Sequence, residues 1–196
     1  ACRPRRSRLD WQVVPQELEQ RDRALVQLRR FKDGFSSYIA TRYAHRARDC
    51  GSCPAPCCGD AEFVNVNITR LEAEAIVRTI ENSPRISPEH RERILERARE
   101  AIRTYELDRQ TDTFAKTYAC PLFEPGAGCL VHYKAKPAPC VQHGCYDDWR
   151  DLPDEIELGR VERRVARLNR EVFGPDESEW GFAAIPVWIA RIVDGR

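Results

Sequence analysis

Cys50-Gly51-Ser52-Cys53-Pro54-Ala55-Pro56-Cys57-Cys58 holds four of the chain's nine cysteines in nine residues, and Cys120, Cys129, Cys140 and Cys145 form a second block. Thiolates at such short spacings are soft anionic ligands, suited to a metal ion or an iron–sulfur cluster. Cys50 and Cys53 make a C-x2-C knuckle whose tight turn lets both sulfurs reach one centre. Adjacent side chains in extended backbone diverge, so Cys57-Cys58 serves either two centres or one centre and a core position. The second block, from Cys120-Pro121 through Gly128-Cys129 to Pro139-Cys140 and Gly144-Cys145, is crowded with glycine and proline. That composition predicts irregular backbone pinned by its ligands.

Outside the cysteine blocks the pattern is helical. Over residues 16–48, Leu18, Leu25, Leu28, Phe35, Tyr38, Ile39 and Tyr43 recur mostly at three- and four-residue steps, which predicts a long amphipathic helix. Glu62 to Ile68 largely alternates apolar and polar residues, as a short strand does. Thr69 and Glu72 fit a capping box for a helix that turns Ala73, Ile76, Val77 and Ile80 inward and ends near Asn82-Ser83-Pro84. Ser87-Pro88 opens another helix with the stripe Ile94, Ala98, Ile102 and Tyr105. Residues 154–173 form the last clear helix, with Ile156, Val161, Val165, Leu168 and Val172 inward and Gly174-Pro175 as its stop. Pro186-Val187-Trp188-Ile189 suits a helix start or a strand equally. The fold class expected is mainly α with little β: a single helical domain over 1–196. It surrounds an irregular cysteine-rich metal-binding core at 50–145, flanked by helices 16–48 and 154–173.

Composition narrows the partners. The formal net charge of +1 gives no global field to steer nucleic acid or an anionic membrane. The basic run Arg3-Pro4-Arg5-Arg6-Ser7-Arg8 reads as a solvated arm in preference to a phosphate-binding one. No apolar segment approaches the roughly 18–20 residues that span a bilayer. No charged-then-apolar leader is seen, so the cytoplasm is the expected compartment, where thiols stay reduced and clustered cysteines serve as ligands. A protein partner is expected, with no nucleic acid and no membrane.

The run C-x2-C-x3-C-C, followed by Cys-Pro-Leu-Phe, Gly-Cys-Leu-Val-His-Tyr and Lys-Pro-Ala-Pro-Cys, resembles the YkgJ-type CxxCxxCC family, described as a zinc- or iron-chelating domain. The resemblance covers roughly residues 50–145. It implies that Cys50, Cys53, Cys57 and Cys58 form the first ligand cluster, that Cys120, Cys129 and Cys140 are the later ligands, and that Cys145 is a final, less regular one. A related motif, associated with an iron–sulfur cluster, occurs in flagellin lysine-N-methylases. This chain departs from the family pattern in having three residues rather than two before Cys57-Cys58, and Lys136-Pro137 in place of an Arg-Pro pair.

Three chemistries compete for the thiols. An iron–sulfur site, a 4Fe–4S cubane above all, needs four thiolates from the eight, and a Cys followed by Pro at Cys53 and Cys120 agrees with it. Structural zinc needs four thiolates, or three and an imidazole from His132 or His143. A disulfide framework leaves Cys2 as the odd cysteine. Radical chemistry with S-adenosylmethionine is rejected, because the order here is C-x2-C-x3-C and no βα repeat follows. A single cysteine nucleophile paired with His143 explains eight clustered cysteines less well. His45 and His90 lie on polar helix faces, His132 is a loop residue, and His143 suits a hydrogen bond to a sulfur as well as a metal. Asp147 and Asp148 read as caps of the next turn, and the tryptophans as core or lid. The expected function is an iron–sulfur, iron or zinc protein with a redox or enzyme-accessory role; the alternative is a non-catalytic zinc-stapled interaction module. Whether it is an enzyme stays open, since no nucleotide- or S-adenosylmethionine-binding glycine motif is present.

Overall fold

Capping residues fix where the helices begin, and apolar stripes fix which faces they bury. The computed structural model describes residues 10–47, 57–107, 115–132, 134–175 and 181–195, with side chains of the first segment described from Leu18 onward. The fold is mainly helical. Its helices are α1 (Asp10–Arg42), α2 (Arg70–Asn82), α3 (Pro88–Thr104), α4 (Ala138–Gln142), α5 (Glu155–Phe173) and α6 (Ile185–Asp194). Two antiparallel pairs of two-residue strands complete it: β1 (Asn67–Ile68) with β4 (Ala183–Ala184), and β2 (Phe123–Glu124) with β3 (Gly128–Cys129).

The expected caps are present. Thr69 accepts from the Glu72 backbone N–H while the Glu72 carboxylate accepts from Thr69 N, so two orphan donors at the start of α2 are satisfied together. Ser87 caps α3 with Pro88 in its first turn; at α5 the structure adds a cap that was not expected, Asp154. Gly174 ends α5 at φ +86°, a conformation that an L side chain resists.

Two apolar clusters result. The first joins α2, α3 and α6 to residues 118–135, with Ile76, Ile94, Ala98, Leu122, Trp188 and Ile189 at its centre. Tyr118 locks it: its hydroxyl donates to Val66 O at 2.5 Å and accepts from Ile185 N at 3.2 Å, tying β1 to the entry of α6. The second packs α1 on α4 and α5 through Leu28, Phe35, Ile39, Val165 and Leu168. Helix α2 faces both, giving Ile76 and Ile80 to the first and Leu71 to the second.

Several expectations are corrected. The first helix spans Asp10–Arg42 instead of 16–48. It runs through Pro15, whose missing N–H removes one backbone bond, and it tightens after Tyr43 into a 3-10 turn at Ala44–Arg46. Leu18 is 49% exposed, and Ile156, in the first turn of α5, is 57% exposed, so neither joins the packed stripe. Only Asn67–Ile68 of the alternating stretch is a strand, since Ala183–Ala184 offers it two residues of edge. The ambiguous C-terminal segment contains both forms: β4 leads directly into α6. Trp188 is core as expected, but Trp149 is 78% exposed. The arm at 3–8 and the knuckle residues Cys50 and Cys53 lie outside the described residues.

Candidate metal centre

Backbone hydrogen bonds draw three of the cysteine segments together. Cys57–Gly59 forms a 3-10 turn, and Cys120 N donates to Cys58 O at 2.9 Å. Phe123 N donates to Cys120 O at 3.1 Å, and Phe123 pairs with Cys129 across the β2–β3 ladder. Gly126 and Gly128 take φ +80° and +75°, which lets the two-strand hairpin turn tightly enough to return Cys129 to Cys120. The fourth segment is α4. It opens with Pro139 in its first turn and carries Cys140, while its Ala138 and Val141 pack in the α1–α5 cluster.

Burial dominates the electrostatics of these thiols. All six described cysteines are thiols and each keeps part of its surface exposed. Burial nonetheless raises the Cys120 thiol well above its ordinary value, and the Cys140, Cys129 and Cys58 sulfurs raise it further. Burial pushes the Cys140 thiol up to about 12; Lys136 opposes the shift, Cys129 and Cys58 add to it, and Lys32 opposes it again. Burial likewise raises Cys129, against Lys136. Burial is thus the main influence on Cys120, Cys129 and Cys140, with neighbouring sulfurs adding to it at Cys120 and Cys140 and Lys136 opposing it at Cys129 and Cys140. Burial raises the Cys57 thiol, and Cys145 raises it further. No group of three or more His, Cys, Asp or Glu side chains among the described residues is drawn close enough to grip an ion.

His132 and His143 are both exposed, His143 at the C-cap of α4. Partial desolvation, then Lys136, lowers the His132 pKa. Among the aspartates that follow, Asp148 acts as the expected cap, accepting from Arg150 N at 2.9 Å.

Sequence reasoning passed over a buried polar seam beside this group. Lys32 lies 3.2 Å from Glu72, and both side chains are only 6% exposed. Leu71 N donates to the buried Asn169 Oδ1 at 3.0 Å, joining α2 to α5. Asn67, Glu72, Pro139 and Glu162 line a small crevice there, and burial, then Glu72, raises the Glu162 carboxyl. A signal existed: Lys32 falls between Leu28 and Phe35 on the apolar stripe, where a charge is costly unless paired.

No family model, curated protein or solved structure matches the chain. No helix among the described residues is long and apolar enough to cross a membrane.

Proposed function

We propose that this is a metal-binding protein that holds an iron–sulfur cluster, 4Fe–4S in preference, or iron or zinc, through Cys58, Cys120, Cys129 and Cys140, in a redox or enzyme-accessory role. The observation that supports the reading is the backbone geometry of the cysteine segments: Cys120 N donates to Cys58 O, and Phe123, bonded to Cys120 O, pairs with Cys129 across β2–β3. Four sulfurs suffice for a cubane or for tetrahedral zinc. Lys136 and Lys32 supply positive charge beside what would be four thiolates, the arrangement that favours the ligating form. The YkgJ-type resemblance points the same way on the motifs alone. Its further ligands Cys50 and Cys53 rest on the sequence. A role in the cytoplasm beside a protein partner belongs to the same proposal.

Metal loading of these thiols displaces protons that burial holds in place. When bound, a cluster supplies electron transfer and zinc supplies cross-linking. Anaerobically purified protein, assayed for iron, acid-labile sulfide and zinc with its visible spectrum, tests the reading. Iron with sulfide and a brown absorption band supports the cluster. Zinc alone in colourless protein leaves the stapled module. Folded protein with neither overturns both.

A further inference from the structure

A side chain of α3 reaches the hairpin that carries Cys120 and Cys129. Arg97 Nη2 donates to Pro121 O at 2.9 Å, and Arg97 Nη1 donates to Glu124 Oε2 at 2.9 Å. Pro121 directly follows Cys120, and Glu124 on β2 pairs with Gly128, the residue before Cys129. One guanidinium thus grips the backbone beside Cys120 and the strand that faces the neighbour of Cys129.

The hairpin needs such a grip. Its base is anchored by Leu122, which is buried in the first cluster. Its outer end is not: Pro125, Gly126 and Ala127 are exposed, and Gly126 and Gly128 take positive φ. Glycine allows that turn but gives it no side chain to pack. The planar fork of an arginine fixes orientation as well as distance, which the point charge of a lysine does not. The Arg97 hydrogen bond, more than any other influence, holds the Glu124 carboxyl below its ordinary value, so the ion pair is formed at neutral pH. The Phe123 ring meets the turn after Cys58, where a Cβ on Gly59 would lie 3.2 Å from it. Contacts with α3 and with the Cys57–Gly59 turn therefore converge on this one hairpin.

We propose that Arg97 is a positioning residue: its guanidinium sets the orientation of the Cys120–Cys129 hairpin and so presents these two thiols as ligands to one centre. Arg97 acts through the Pro121 carbonyl and the Glu124 carboxylate. The clamp rests on those two hydrogen bonds; its service to a metal rests on the reading above.

The test uses the full chain, purified anaerobically with whatever metal it holds, and again after a chelator has removed that metal. Timed alkylation with N-ethylmaleimide, read by peptide mass spectrometry, gives a rate for each cysteine. In the chelated protein, Arg97→Gln should speed alkylation of Cys120 and Cys129 about tenfold or more, the size expected for losing hydrogen bonds from a charged donor. Cys140 and the helical circular dichroism should not change. Arg97→Lys should fall between Arg97→Gln and wild type, and Glu124→Gln, which loosens one anchor only, should move both rates the same way. Arg99→Gln, on the same helix but bonded to Asp194, should leave both rates unchanged. Unchanged rates at Cys120 and Cys129 in Arg97→Gln and Glu124→Gln, or equal acceleration at Cys140, overturn the clamp. Metal-loaded Arg97→Gln should also release its metal to the chelator about tenfold faster than wild type. Equal release overturns the presentation of ligands. A wild type isolated without metal removes the metal reading, and the alkylation rates then judge the clamp by themselves.

Discussion

The two apolar clusters are built from similar residues but are completed differently. In the α2–α3–α6 cluster the inward positions are aliphatic or aromatic, and the one buried phenol, Tyr118, has both a donor and an acceptor partner. Burial of that kind contributes roughly 1.5–3 kcal/mol per large side chain and asks nothing of solution conditions. The α1–α4–α5 cluster meets α2 across Leu71 together with the Lys32–Glu72 pair and Asn169, a seam where charge is desolvated. Three of the proposed ligands border the two clusters: Cys120 and Cys129 pack on the first, and Cys140 sits on α4, whose Ala138 and Val141 belong to the second. The difference teaches that the helices have a core of their own, whereas the second cluster adds a desolvated charge pair to the apolar contact that α2 makes with both, and on the proposed reading metal lies beside it.

The largest effect expected from this contrast is within the first cluster. Trp188→Ala removes its largest fully buried side chain and should cost about 3–5 kcal/mol in urea unfolding, whether or not metal is present. A cost that vanished on metal loading would contradict an independent core. Next comes the seam. Glu72→Gln keeps the capping box, since glutamine serves at that position, but leaves Lys32 buried without its counter-charge. The expected loss is about 3 kcal/mol, and adding Lys32→Met should recover most of it in a double-mutant cycle. No recovery would mean that the pair is not the element holding α1 to α2.

The smallest effect expected concerns pH. Glu162 has a raised carboxyl pKa, from burial and then from Glu72, so the folded state holds this proton more tightly than the unfolded state. Its contribution is fully present below the unfolded carboxyl pKa and is lost as pH rises through the higher folded value. Glu162→Gln should therefore raise stability at neutral pH, by less than about 1 kcal/mol for this partly exposed group, and should flatten the pH profile in the acid range. An unchanged profile would remove Glu162 from the seam's electrostatics.

Much of the helical frame was legible because caps and periodicity are local signals. Thr69 with Glu72, Ser87 with Pro88, and Gly174 with Pro175 each declare a boundary within a few residues. Reading the apolar stripes as continuous overreached at Leu18 and Ile156, because periodicity says which face is apolar and not how far a partner helix extends over it. The second cysteine block was legible as irregular backbone. The backbone contact of Cys58 with Cys120, and the pairing of Phe123 with Cys129, were not, because residues far apart in sequence meet there only through the β2–β3 hairpin. The Lys32–Glu72 pair stayed hidden for the same reason: Glu72 announces a cap, and only packing reveals that its other oxygen faces a lysine 40 residues earlier in the chain.

Native mass spectrometry of anaerobically purified wild type and Cys140→Ser tests the central claim most directly. The wild type should weigh more than its 22.6 kDa polypeptide by one cluster or by bound metal, and Cys140→Ser should lose that increment while remaining folded. A wild type at the bare polypeptide mass, or a Cys140→Ser variant that keeps the full increment, would contradict a centre held by this sulfur group.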